Sequence, residues 1–380
     1  MDRLTRRTLI SGSFGLAGLA ATGCTGSPDT SRSSPPASGT TTPGPTSATP
    51  RASSAAPTPS ADTRPRAPLT GTLVSDPARF NHPAVAVKVP NLQREYPQLG
   101  IDAADIVFVE PNGPSYTRLC AVFHSRFPAG VNPIRSVRPV DIPLLSPMRP
   151  VFANTGAMQW VTNYLHHYAD TIEDKPYLAM LGTGAYSIDS SRVYQIGGKY
   201  YYDKAVVAHP AQLARLATHL TKPPQRYLPF APTDAEVSTA SGAKAASSVA
   251  IPYGSGHSYD MSYDYDKGSR KYLRNEPWGH HVTANGVRIV ADNVLVIRAR
   301  WRMAKIWSGT GGTDPVVEIT NASGRFHYAH GGRYVTGTWK KAGVDALFRF
   351  TCSDGRPLRI APGQTWVELP QQDADVVVKS

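Results

Sequence analysis

The polar side chains best suited to binding chemistry in this sequence lie at the ends of strand-like runs and in one loop. Arg135 and Arg138 occupy the loop, which leads into a helical segment. Paired arginines bind carboxylates and phosphates through bidentate hydrogen bonds, and a helix N-terminus attracts the same anions. One hypothesis is therefore an anionic ligand. The candidate ligand-binding residues are Lys88, Asn91, Glu110, Arg118, Arg135, Ser136, Arg138 and Asp141.

The same region also permits a purely structural interpretation. Glu110 and Asp105 would then be the carboxylates of an internal network that holds the loops in place. Arg118 and Arg135 would be their partners. The two hypotheses differ in one respect, because a ligand site requires a guanidinium group that faces a solvent-accessible cleft and is free to take an anion.

Motifs of the common hydrolase and nucleotide-binding families do not occur in the sequence. It contains no Gly-x-Ser-x-Gly elbow, His-Glu-x-x-His, Cys-x-x-Cys or Walker loop. The neighbours His166-His167 and His280-His281 project in different directions on a helix or a strand, so neither pair chelates a metal alone. We predict no catalytic residue, no metal ligand and no cofactor.

Strands and helices that could position the candidate residues alternate in the first half of the folded body, which is expected to begin near Pro68. Apolar, β-rich runs bounded by Pro, Asn and Gly indicate strands at 84–89, 106–110, 116–125 and 150–153. Helical periodicity indicates helices at 141–145, 157–168 and 210–220. This alternation predicts a mixed α/β domain over residues 68–225.

The second half has short strand patterns and no helix of three turns. A polar, Ala/Ser-rich stretch predicts a linker at 226–248, and Asn285-Gly286 is a hairpin signal. We therefore expect a mostly antiparallel β domain over residues 249–370 and an α+β fold of two domains overall. The predicted strands are 258–265, 292–301, 315–320, 324–339, 346–352 and 364–369.

The first 23 residues have the pattern of an export signal. A basic start at 1–7 precedes an apolar run at 9–21, which is too short to span a hydrocarbon core of about 30 Å. This predicts a cleaved signal peptide. Residues 19–24 (LAATGC) resemble a bacterial lipobox, which implies lipidation of Cys24. Residues 5–10 (TRRTLI) resemble a twin-arginine motif, and general secretion is the other possible export route.

The segment after Cys24 is composed almost entirely of Ser, Thr, Pro, Ala and Gly. Residues 25–65 contain no aromatic residue and no Leu, Ile, Val or Met, so they cannot bury enough apolar surface to offset chain entropy. We predict a disordered tether within residues 24–67. The chain carries a formal net charge of +12 with no run of five Lys or Arg. This argues against a nucleic-acid partner and suits an anionic cell envelope.

Several motifs in the same order resemble the YerB-like family of bacterial lipoproteins. This resemblance covers most of residues 68–370 and implies a lipoprotein of two domains with no established activity. The family pattern has an acidic residue where Pro90 stands and a Gly pair near 112–114. The shared motifs are AVKVPN at 86–91, ADIV at 104–107, TRLCAVFHS at 117–125, PIRSVRP at 133–139, GTWK at 337–340, RF at 349–350 and PGQTWV at 362–367.

Two functions are compatible with these features. The first is a non-catalytic binding or scaffold lipoprotein, anchored through Cys24 to the outer face of the cytoplasmic membrane, with anionic wall polymer or another envelope protein as its partner. The alternative is a wall-acting hydrolase or transferase. It would use Glu110 or Asp105 as acid or base, while Arg135 and Arg138 hold an anionic substrate.

Replacing Cys24 by Ala should release the protein from the membrane. Each buried CH₂ of an acyl chain contributes about 0.8 kcal/mol, and the preceding apolar segment is cleaved away. The measurement is the membrane-bound fraction of the Cys24→Ala variant after cell fractionation, with wild type as reference. A cleaved variant that stays in the membrane fraction would contradict the lipid anchor.

Overall fold

The computed structural model describes residues 64–113 and 115–380. The predicted signal peptide, Cys24 and the tether as far as residue 63 lie outside the described residues. No helix in the described part of the chain has the length and hydrophobicity needed to cross a membrane.

Strands dominate the first half of the body, and its helices are short. The α-helices are α1 Asp141–Leu145, α2 Gln159–His167 and α3 Pro210–Arg215. The strands are β1 Val85–Asn91, β2 Ile106–Pro111, β3 Thr117–Phe123, β4 Val151–Asn154, β5 Glu173–Pro176, β6 Tyr186–Ile188, β7 Tyr194–Ile196, β8 Lys199–Tyr201 and β9 Val206–Ala208.

The second half contains strands and no α-helix among its described residues. They are β10 Lys244–Ala245, β11 Ser248–Pro252, β12 Asp260–Asp266, β13 Lys271–Glu276, β14 Gly279–His280, β15 Val290–Ala291, β16 Asn293–Ile297, β17 Trp301–Ala304, β18 Asp314–Val317, β19 Ala322–His330, β20 Arg333–Lys341, β21 Arg349–Cys352, β22 Thr365–Glu368 and β23 Val377–Lys379.

The fold is therefore mainly β. The first half has less helix than the predicted α/β domain, because its three α-helices are short. Helix α3 ends at Arg215 instead of residue 220. Strands β6 to β9 were not predicted, because each has only three residues. The side chains of β6 to β8 are also partly or fully exposed, whereas those of β9 are buried. Such short runs have no apolar alternation that a sequence could reveal.

Both halves of the body contribute to one 11-stranded sheet. Strand β22 from the second half lies between β2 and β16 and runs parallel to both, with Thr365 opposite Ile106 and Asn293. The two predicted domains are thus joined through their backbones. A strand pattern in a sequence predicts a strand but not its partner, so this pairing was not foreseen.

Layers on both faces of the large sheet account for the complete burial of its central strands, β1 to β3, β16 and β22. On β2, Ile106 and Phe108 face a core shared with α2, whereas Val107 and Val109 face a core shared with the six-stranded sheet of β11 to β15 and β23. Strands buried on both faces read as continuous apolar runs. Cys120 and Cys352 are buried free thiols.

Two predicted segment boundaries differ from the structure. Residues 324–339, read as one strand, form the β19–β20 hairpin, whose turn at Gly331-Gly332 uses positive φ angles of 59° and 73°. The expected linker 226–248 packs on the body. Phe230 is fully buried, and the Ala231 N–H donates to the Ile360 carbonyl at 2.7 Å.

The folded body also begins before Pro68. Arg66 donates to the carbonyls of Gly71 and Pro232 at 2.8 and 2.7 Å, and Ala67 is buried. These residues were assigned to the tether because their composition resembles it. Their tertiary contacts cannot be read from composition.

A chain that begins at Arg64 should melt within a degree or two of the mature protein, since no contact described here is removed. A chain that begins at Pro68 should melt a few degrees lower, because it lacks the Arg66 hydrogen bonds and the buried Ala67. Thermal unfolding of the two truncated chains tests this directly. Equal melting temperatures would show that Arg66 and Ala67 contribute nothing.

Candidate functional site

A fully buried lysine lies at the centre of the predicted cluster. The ammonium group of Lys88 contacts the carboxylates of Glu110 and Asp141, the latter at 2.8 Å, and all three side chains are inaccessible to solvent. Burial lowers the pKa of Lys88 to about 8, although Asp141 opposes this shift. A charge in such a position is tolerated only with close ionic and hydrogen-bonding partners.

Strand pairing and one helix bring these three groups together. Lys88 lies on β1 beside Cys120 of β3, and Glu110 on β2 lies opposite Arg118 of the same β3 strand. Asp141 is the first residue of α1. Its second oxygen accepts the Arg138 backbone N–H at 2.6 Å, so the carboxylate that binds Lys88 also fixes the turn before the helix.

Arg135 is bound by two carboxylates that the sequence did not suggest. Its guanidinium group donates from Nε to Glu95 at 2.9 Å, and from Nη2 to both Glu95 and Asp203, the latter at 2.9 Å. A further bond at 2.7 Å reaches the Asp203 carbonyl. The two acids outweigh the effect of burial and raise the pKa of Arg135.

The other two arginines also have internal partners. Arg138 donates to the Asn112 side-chain oxygen at 2.9 and 2.8 Å and forms an ion pair with Asp314 at 3.3 Å. Arg118 donates to the carbonyl and hydroxyl of Ser136 at 2.9 and 3.3 Å. Burial lowers the pKa of Arg118 to about 9, helped by the neighbouring arginines.

The predicted residues therefore belong to a nearly charge-balanced network. Its four cations are the lysine and the three arginines, and its five carboxylates are Glu95, Glu110, Asp141, Asp203 and Asp314. Both Arg135 and Arg138 already bind carboxylates within the chain. This arrangement does not support an anionic ligand at these two arginines. It is an internal network, as the structural alternative proposed, but the predicted pairing of Glu110 and Asp105 with Arg118 and Arg135 is wrong. Glu110 contacts Lys88, and Arg135 is paired with Glu95 and Asp203.

Asn91 does not join this network. Side chains alternate between the two faces of a strand. Lys88 precedes Asn91 by three residues on β1, so the two side chains lie on opposite faces. Its amide donates to Thr117 at 2.7 Å and to Glu276 at 3.2 Å. Glu276 belongs to a second cluster between the two sheets, which the sequence analysis missed.

The second cluster is built around Arg274, which is fully buried. Its guanidinium group contacts Glu276 and lies 4.5 Å from the centre of the Trp366 ring. Glu368 accepts from the hydroxyls of Tyr253 and Tyr263, and burial raises its pKa to about 7.

A sequence signal for this cluster existed. Along β13, Tyr272, Arg274 and Glu276 are all buried while the residues between them are only half-buried. Opposite charges two positions apart lie on the same face of a strand and can form an ion pair, whereas the burial of that face is shown only by the structure.

Asp105, the other carboxylate considered for catalysis, caps a backbone turn. Its Oδ2 accepts the N–H groups of His124 and Ser125, each at 2.7 Å. Burial raises the pKa of Asp105 to about 6, although these hydrogen bonds oppose the shift. The side chain is almost completely buried, so the raised pKa accompanies a structural contact.

Both halves of the chain match models of one protein family. The N-terminal domain of DUF3048, described as a protein of unknown function, matches residues 69–212, and the C-terminal domain matches residues 249–367. The chain belongs to the DUF3048 family. This confirms the YerB-like resemblance, and the shared motifs of the family lie mostly on the strands that form the two clusters.

Two similarities to Bacillus subtilis proteins agree with this membership. The chain is 24% identical over 326 residues to "Putative lipoprotein YerB", covering 84% of this chain and 91% of that protein. It also resembles the crystal structure of YerB protein from Bacillus subtilis with a TM-score of 0.64 and 20% identity, covering 83% of this chain and all of the other. The structural likeness shows a shared fold.

Replacing Lys88 by Met should destabilise the protein by about 3–5 kcal/mol, because Glu110 and Asp141 would remain buried without their cation. The matched control is Lys271→Met, which removes a half-exposed ion pair with Asp292 and should cost less than about 1 kcal/mol. Denaturant unfolding of both variants provides the comparison. Equal losses would show that the buried pairing does not stabilise this DUF3048 protein.

Proposed function

We propose that this protein is an exported, membrane-tethered binding or scaffold protein of the cell envelope and that it is not an enzyme. Lipidated Cys24 would hold it at the outer face of the cytoplasmic membrane, with wall polymer or another envelope protein as partner. The lipobox-like segment 19–24 and the name of the Bacillus subtilis relative support the anchor. The basic composition suits an anionic envelope.

The observation that carries the non-catalytic role is the inaccessibility of the candidate acids. Of these acids, Glu110 is fully buried and shares the Lys88 ammonium group with the equally buried Asp141. A general acid or base must come within hydrogen-bonding distance of the group that it protonates or deprotonates. These two carboxylates instead neutralise an internal cation, which is a structural task.

Asp105 is the carboxylate that would support the alternative of a wall-acting hydrolase or transferase. Its pKa of about 6 is in the range that acid–base chemistry at neutral pH requires. However, its Oδ2 is directed at two backbone N–H groups and only 3% of the residue is exposed. Capping of the turn after β3 explains these features without a substrate.

Incubation with insoluble cell-wall sacculi tests the proposed function. The purified mature protein should co-sediment with the sacculi, more weakly at high salt, and should release no soluble sugar or peptide fragments, as measured by mass spectrometry. Asp105→Asn is the informative variant, and Asp102→Asn is its matched control on a more exposed neighbour. Fragments that appear with wild type and Asp102→Asn, but not with a stably folded Asp105→Asn, would contradict the proposal.

A further inference from the structure

A cleft of about 460 Å³ opens beside the Arg135 ion pairs, and its lining includes the chain neighbours of Glu95 and Asp203. It lies between the segment around residue 95, the 3-10 turn at Ser190–Arg192 and the start of β7. The volume is within the usual range of ligand pockets. The charged and aromatic side chains that line it are Arg94, Tyr96, Asp189, Arg192, Tyr194 and Lys204.

The cations of this cleft differ from Arg135 and Arg138 in their partners. Arg192 donates to the carbonyls of Pro97 at 2.9 Å and Glu95 at 3.1 Å, and to the side-chain oxygen of Asn132. All of these hydrogen-bond acceptors are neutral, and Asp189 is a carboxylate whose charge also acts on Arg192. A guanidinium group that is oriented by neutral acceptors is prepared for phosphate recognition.

Two further cations accompany Arg192. The ammonium group of Lys204 lies 4.8 Å from the centre of the Tyr194 ring, which is a neutral partner, and Arg94 is exposed at the rim. Asp189 is the one acidic side chain among the described lining residues, and it accepts from the Ser191 N–H at 3.0 Å and the Ser191 hydroxyl at 2.6 Å. The cleft therefore has three cations for one carboxylate.

Tyrosine rings give the cleft fixed walls. The Tyr96 hydroxyl accepts the Val282 N–H at 2.9 Å, and Tyr194 stacks on Tyr201 with ring centres 5.3 Å apart and an interplanar angle of 13°. Aromatic rings offer large apolar contact surfaces to a ligand. The cleft thus combines phosphate-binding cations with surfaces on which the carbon backbone of a polymer can pack.

We propose that this cleft binds the phosphate groups of an anionic phosphodiester polymer. The cations line a concave surface, which a narrow flexible chain can enter and a flat bilayer cannot. Three cations for one carboxylate suit successive phosphates of a chain better than one small anion. This inference rests on the proposed envelope function and names the class of ligand.

The test measures binding of the full mature protein to poly(glycerol phosphate) by isothermal titration calorimetry at several salt concentrations. The Arg94→Gln/Lys204→Gln variant removes two cations that make no hydrogen bond to the protein among the described residues. We expect binding at least tenfold weaker and a smaller dependence on salt. Arg192→Gln should weaken binding similarly, and Arg192→Lys should restore part of it.

The matched control is Arg79→Gln/Lys305→Gln, which removes one exposed Arg and one exposed Lys outside the cleft. It should bind the polymer almost as wild type does. An equal loss in this control would overturn the proposal, because net charge alone would then explain binding.

Two further probes distinguish the sources of phosphate. Inorganic phosphate and vesicles of anionic phosphatidylglycerol should bind much more weakly than the polymer, and binding to vesicles alone would overturn the proposal. Retention on sacculi without affinity for poly(glycerol phosphate) would refute the ligand class and leave the binding function intact. If the protein bound neither sacculi nor poly(glycerol phosphate), both the ligand class and the binding function would be refuted.

Discussion

The rest of the structure depends on the position of one four-residue strand. β22 runs parallel to β2 on one side and to β16 on the other, and it thereby joins the two halves of the chain into one sheet. It also holds the two sheets together, because Trp366 and Glu368 both contact Arg274 of the other sheet. The Arg274 guanidinium carbon lies 4.5 Å from the centre of the Trp366 ring, and its Nε lies 3.8 Å from the Glu368 carboxylate. Parallel pairing at this position is possible only with both faces covered.

Each face of the large sheet contains one buried charge cluster, and each cluster is nearly neutral. On one face Lys88 balances Glu110 and Asp141 with help from the surrounding arginines. On the other, Arg274 balances Glu276, while the pKa of about 7 keeps Glu368 largely uncharged at mildly acidic pH. Buried ion pairs contribute little net stability but are costly to break, so they restrict which strands can pair. Both clusters consequently favour the observed pairing of strands over other pairings.

The sequence predicted much of this arrangement and missed a definable part of it. Apolar runs located β1 to β4, and strand parity would have placed Lys88, Glu110 and Arg118 on one face and Asn91 on the other. The partners of Arg135 could not be predicted, because Glu95 and Asp203 lie 40 and 68 residues away in unpatterned segments. The family motifs identified the strands of the core, whereas the basic cleft is built from short turns that carry no motif.

The place of β22 in the chain determines when this fold can form. The Gln364 side chain donates to the Ala104 carbonyl across 260 residues of sequence, at the start of the pairing between β22 and β2. Until residue 368 has been synthesised, β2 and β16 each remain an open edge that can pair with another chain. A prematurely terminated copy would therefore expose its central strands to other chains and to proteases. The topology thus makes completion of translation a condition for a closed and protected sheet.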